Sequence, residues 1–97
     1  MHVANGTVVT PEGLLNGATI RVVGNRIALI TPLERAPADA IDLDGGWLVP
    51  GFIDTQVNGG GGVLLNDQPT VEGIAAIGAA HVPYGTTAFM PTLISDT

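Results

Sequence analysis

Cysteine and lysine are both missing from this 97-residue chain, and each absence closes a class of reading. Without cysteine, no disulfide and no thiolate zinc site can staple a small fold, so packing alone must supply its stability. Without lysine, positive charge is confined to Arg21, Arg26 and Arg35, against nine acidic residues, for a net charge of −6. A nucleic-acid surface needs basic residues to neutralise phosphates, so nucleic acid is excluded as a partner. The average field also offers nothing to an anionic ligand, and any phosphate site has to be local or built by other residues. Aromatic side chains are few, at 4%. No apolar run approaches the roughly 20 residues of a membrane helix, and no positively charged apolar leader opens the chain. A cytoplasmic protein with no membrane partner is the expectation.

What is present is a patterned chain with two characters. His2 to Thr10 reads as a strand around an Asn5-Gly6 turn, and Pro11-Glu12-Gly13 supplies the next break. Ala18 to Val23 and Arg26 to Thr31 are β-rich runs separated by Gly24-Asn25, two residues that tolerate the positive φ of a tight hairpin turn. A loop over Leu33 to Ala38 and a short strand over Ile41 to Leu43 complete a small antiparallel β unit. From Leu48 the chain reads as one apolar strand to Val57, entered through Pro50-Gly51. Pro69-Thr70 then opens a helix whose apolar positions are Val71, Ile74, Ala75, Ile77, Ala79 and Val82. Gly73 and Gly78 weaken that helix and imply close packing on a sheet. Pro83 and Gly85 stop it, and Thr86 to Met90 forms a second strand. Strand, helix, strand is the unit of a parallel α/β sheet.

The run WLVPGFIDTQVNGGGG, Trp47 to Gly62, carries the most chemistry. Alternation along a strand puts Asp54, Gln56 and Asn58 on one face, and Ile53, Thr55 and Val57 on the other. Both faces read as buried, one of them polar. Unpartnered buried amides or carboxylates cost about 1 to 3 kcal/mol each, so three in a row must meet each other, water, a metal or a ligand.

The sequence Pro50-Gly51-Phe52-Ile53-Asp54, followed by polar side chains at 56 and 58, resembles the first barrel strand of the amidohydrolase superfamily. That pair is usually His-x-His there; here it is Gln56 and Asn58. With the continuation NGGGGVLLND and the later YGTTAFMPTLISDT, the resemblance narrows to the N-acetylglucosamine-6-phosphate deacetylases. It covers nearly the whole chain, most specifically Pro50 to Gly62 and Gly85 to Ile94. The implied fold class is α/β. Residues 1–47 would be an N-terminal β segment of a composite β-sandwich, and residues 48–97 the start of a metal-dependent (β/α)8 hydrolase barrel. Such a barrel needs roughly 250 residues, so this chain would hold only its beginning.

The resemblance further implies hydrolysis of N-acetylglucosamine 6-phosphate to glucosamine 6-phosphate and acetate by metal-activated water. One divalent metal, with zinc expected, would be held by a Glu and two His of later strands, and a later Asp would be the acid/base. None of these lies in this chain, so it supplies no catalytic residue or metal ligand and would be inactive alone. A homodimer is expected, with the neighbour contributing to phosphate binding.

Of the residues present, Gln56 and Asn58 are candidates to line the pocket. A neutral amide oxygen is a poor zinc ligand beside imidazole, which argues against a metal at that pair. Gly59, Gly60 and Gly61 are candidates for close backbone approach to the pocket. Their run lacks the Gly-Lys-[Ser/Thr] ending of a nucleotide loop. Thr92, at the end of the second strand, is the sixth candidate. Asp54, deeper on the strand, reads as structural, His2 and His81 as surface or structural, and Asn66-Asp67 as shaping the loop before the helix. Two other readings stay open: an assembly module that captures another chain on its strand edges, and another amidohydrolase acting on a different amide.

Overall fold

A computed structural model describes residues 1–32 and 35–95. The loop expected over 33–38 therefore lies partly outside the described residues, as do the last two positions of the C-terminal motif. The chain divides into two compact units, Met1–Pro50 and Gly51–Thr97.

The first unit is built from short strands: β1 (His2–Ala4), β2 (Thr7–Thr10), β3 (Gly13–Asn16), β4 (Thr19–Val23), β5 (Arg26–Thr31), β6 (Ile41–Asp42) and β7 (Trp47–Leu48). They form a four-stranded sheet in the order β5-β4-β1-β6 and a three-stranded sheet in the order β3-β2-β7. Val3, Val8, Ala18 and Ile20, drawn from both sheets, make one buried cluster, with Leu15, Val22, Ile30, Leu43 and Leu48 packed against it. The β4–β5 hairpin forms where Gly24-Asn25 predicts it, pairing Val23 with Arg26. Only Gly24 takes a positive φ, of 58°, so the turn follows the pattern with glycine first, not the one that needs positive φ at both positions.

The Asn5-Gly6 break separates β1 from β2 with Asn5 at φ 62°. Opposite it, Asp42 Oδ1 accepts from the Asp44 N–H at 2.8 Å and from Asn5 Nδ2 at 2.7 Å. These two donors, the backbone N–H first, favour the charged form and hold the Asp42 carboxyl below its ordinary value.

Leu48 to Val57 is not one strand. Trp47–Leu48 pairs in parallel with β2, and Leu48 packs on the first unit's core. The next strand, β8, begins at Phe52. Pro50 lacks an N–H and cannot continue a ladder, so the Pro50-Gly51 step separates two strands instead of opening one.

The second unit contains β8 (Phe52–Val57), β9 (Gly59–Gly60), β10 (Val63–Leu64), α1 (Val71–His81), a 3-10 turn at Val82–Tyr84 and β11 (Thr86–Pro91). Strands β8 and β11 are parallel, with Thr86 opposite Phe52 and Pro91 opposite Val57, as the strand-helix-strand pattern predicts. Helix α1 starts at Thr70, whose hydroxyl accepts from the Gly73 N–H at 3.0 Å. Gly85, at φ 96°, closes the 3-10 turn after it.

The buried face of α1 differs from the expected one. Ile77 and Gly73 are buried, but Val71 and Val82 are 79% and 64% exposed. Val71 sits in the first turn and Val82 just past the last, and neither reaches the cluster of Val57, Leu65 and Ile77 with Val63, Ile74 and Phe89. Gly78 does pack on the sheet, since a Cβ there would lie 2.7 Å from Phe89 Cε1. Gly73 packs elsewhere, its missing Cβ facing the carbonyl of Gln68.

Candidate functional site

The C-terminal ends of β8 and β11 lie side by side, so residues far apart in sequence gather there. Thr92 N–H donates to the Val57 carbonyl at 2.8 Å, extending the parallel pairing past Pro91. Because Val57 is buried toward Ile77, strand alternation turns Gln56 and Asn58 to the opposite face. Both are exposed, whereas Thr92 is half-buried. Thr92 Oγ1 donates back to β11 at Met90 O, 3.1 Å away.

The two-sided burial expected of β8 is absent. Ile53 is 73% exposed, Thr55 and Gln56 are exposed, and only Val57 is buried, with Asp54 half-buried. The helix-side cluster reaches the last residue of the strand and no further back. Solvent reaches Gln56 and Asn58, so the desolvation penalty that seemed to demand a partner is not levied on them. Asp54 has a local partner, since its Oδ1 accepts from the Gln56 N–H at 3.1 Å, in keeping with a structural role.

The glycine run is a hairpin. Gly60 pairs with Val63 and Gly59 with Leu64, while Gly61 and Gly62, at φ 60° and 77°, form the two-residue loop. Positive φ at both loop positions is the requirement of the tightest right-twisted hairpin turn, which explains why glycine occupies them. The close approach expected of Gly60 and Gly61 is made to the helix. A Cβ on Gly60 would lie 2.8 Å from His81 Nε2, and one on Gly61 would lie 3.1 Å from the Ala80 methyl. His81 is thus structural: its Nε2 lies 3.0 Å from the Gly59 carbonyl, which can only accept, so Nε2 carries the proton in this contact. His2 is half-buried in β1, in the other unit.

Asn66 carries a role that spacing alone does not reveal. Its Nδ2 donates to the Ile94 carbonyl and its Oδ1 accepts from the Ile94 N–H, both at 2.8 Å. One residue earlier, Leu65 N–H donates to the Asn58 carbonyl at 2.9 Å. Only the sequence pair Asn66-Asp67, typical of turns, hinted at a backbone-binding amide; the partner 28 residues away could not be read.

Among the described residues, no group of three or more His, Cys, Asp or Glu side chains could hold a metal ion. The strand end offers two neutral amides, a threonine hydroxyl and one carboxylate already accepting a backbone bond. That donor set does not fit a metal centre.

Comparison with known proteins gives this arrangement a context. No family model matches the chain. Over 54 residues it is 56% identical to the N-acetylgalactosamine-6-phosphate deacetylase of Shewanella sp. (strain ANA-3), covering 56% of this chain and 14% of that protein. Over 82 residues it is 39% identical to the N-acetylglucosamine-6-phosphate deacetylase of Haemophilus influenzae, covering 84% of this chain and 20% of that one. The crystal structure of N-acetylglucosamine-6-phosphate deacetylase from Pasteurella multocida superposes with a TM-score of 0.87 at 35% identity, over 100% of this chain and 27% of that one. The chain matches the N-terminal part of the amino-sugar-phosphate deacetylases. It spans 14% to 20% of the length of these two curated deacetylases. Its mixed, sheet-rich fold with few helices is that of the corresponding part of the deacetylase structures. No helix among the described residues is long and apolar enough to cross a membrane.

Proposed function

We propose that this chain forms the N-terminal part of an enzyme that hydrolyses N-acetylglucosamine 6-phosphate to glucosamine 6-phosphate and acetate. The observation that carries the reading is the 0.87 TM-score superposition on a deacetylase over all of this chain. In this reading the two sheets of the first unit belong to a composite β-sandwich, and β8, α1 and β11 are the opening strand, helix and strand of a (β/α)8 barrel. Gln56, Asn58 and Thr92 sit where such barrels gather their working residues, at the C-terminal ends of strands. They line the sugar pocket, with Gly59 at its edge, and Gly60 and Gly61, packed on the helix, support that edge from the other side.

The divalent metal that would activate water in this chemistry, with zinc expected, would be held by the Glu and two His that the resemblance places on later strands, and the acid/base would be the later Asp. The contribution of this chain is to bind and orient: amides at 56 and 58 donate and accept toward sugar hydroxyls or ordered water. The intact enzyme is cytoplasmic and dimeric, with a neighbour helping to hold the phosphate.

A second reading concerns the sugar. The 56% identity to an N-acetylgalactosamine-6-phosphate deacetylase favours the epimeric substrate, so both sugars belong in the test. The experiment is acetate release by a chimera in which residues 1–97 replace the matching segment of the Pasteurella multocida enzyme, assayed with each sugar phosphate. Release from one or both supports the reading. A folded chimera that releases acetate from neither contradicts it.

A further inference from the structure

Asn58, just beyond β8, and Thr92, just beyond β11, are joined by two routes. The short route is the Thr92 N–H bond to the Val57 carbonyl, 2.8 Å. The long route leaves Asn58 through its carbonyl, which accepts from Leu65 N–H at 2.9 Å, passes to Asn66, and crosses to Ile94 through the paired 2.8 Å bonds of the Asn66 amide. Two residues further back is Thr92. The two routes close a ring of hydrogen bonds around the neighbouring strand ends, and every link but one is backbone to backbone. The exception is the Asn66 side chain, which imitates a strand partner by offering one donor and one acceptor to a single residue.

We propose that Asn66 is a positioning residue that fixes the segment after β11 against the end of β8 and so sets the placement of Asn58 relative to Thr92. The proposal rests on the reading of those two residues as pocket-lining. Asn66 itself is half-buried, and each end of its amide is bonded to Ile94, so its side chain is held by the segment it braces. Neither Ala nor Asp can replace it at neutral pH. Ala offers no bond, and an ionised carboxylate accepts from the Ile94 N–H but meets the Ile94 carbonyl with a second acceptor. A protonated Asp has both an O–H donor and a carbonyl acceptor, so acid should restore the pair.

The test is nitrogen-15 NMR of the full chain as wild type, N66A and N66D. In N66A the Ile94 amide should exchange roughly tenfold faster, the loss expected for about one hydrogen bond. The Asn58 side-chain amide and Thr92 backbone amide resonances should move together. N66D should show the same changes at pH 7 and return toward wild type as the pH falls to about 4, near the ordinary titration of Asp, each spectrum judged against wild type at the same pH. Unmoved Asn58 and Thr92 resonances in N66A would overturn the proposal, as would N66D that acid does not rescue. If both variants unfold at every pH, Asn66 serves the stability of the whole unit and the positioning role is also overturned. None of these outcomes depends on turnover, so failure here leaves the proposed reaction standing. Conversely, an intact brace in a chimera that releases no acetate would refute the reaction without touching the brace.

Discussion

Two residues show how local chemistry decides more than composition does. Gly73 lies inside α1, where replacing glycine by alanine ordinarily gains about 0.8 to 1 kcal/mol of helix propensity. Its missing Cβ, however, faces the Gln68 backbone carbonyl at less than contact distance, and backbone cannot swing aside as a side-chain tip can. G73A is therefore expected to destabilise, by about 1 to 3 kcal/mol for an overpacked site, as read from urea unfolding; a net gain in stability would contradict the packing. Asp42 gives the second prediction. Its folded-state carboxyl is held low, first by the Asp44 N–H and then by Asn5. A depressed folded value means that the stabilisation is present above the unfolded value, about 3.9, and is lost as pH falls through the lower folded one. An NMR titration of the Asp42 carboxyl should give a midpoint below the ordinary Asp value, and N5A should raise it. A midpoint at or above that value would contradict the Asn5–Asp42–Asp44 arrangement.

At the scale of elements, what could be read from sequence were features whose cause is local. Gly24-Asn25 marks a hairpin because one residue must take positive φ, Thr70 marks a helix start because its hydroxyl reaches the Gly73 N–H, and Gly85 marks a stop because it adopts φ 96°. T70A should cost about 0.5 to 2 kcal/mol, the worth of a side-chain cap, with T70S restoring most of it; thermal unfolding of the two variants checks this. What could not be read depends on distant partners. Leu48 looks continuous with Phe52, yet its pairing is with Val8 of β2. Val71 and Val82 have helical spacing, yet the cluster they would join is centred on Ile77. The candidate site divides in the same way. Alternation placed Gln56 and Asn58 on one face from sequence alone. The roles of Gly60, Gly61 and His81 depend on a hairpin folding back onto a helix, and that of Asn66 on a bond across 28 residues.

At the scale of the whole molecule, the polar residues at the paired ends of β8 and β11 are amides and a hydroxyl. Gln56 and Asn58 are solvent-exposed, and the Asp54 carboxylate of the same strand already accepts a backbone bond. Such a set can hold and orient a polar ligand, but it cannot generate a nucleophile. The chain by itself is accordingly expected to release no acetate from either amino-sugar phosphate, with or without added zinc, and measurable release would refute that expectation. The broad apolar exposure of Phe52 at 57%, Ile53 at 73% and Met90 at 61% on a two-stranded sheet with open edges makes concentration-dependent association of the isolated chain the further expectation; light scattering over a dilution series would check it. The most direct test of the central claim is the acetate-release rate of the Pasteurella multocida chimera with Gln56 intact against the same chimera carrying Q56A. The account predicts release with Gln56 and a fall in kcat/KM of about tenfold without it, the effect of roughly one lost hydrogen bond. A folded chimera that releases no acetate, or a Q56A chimera as fast as its parent, would contradict it.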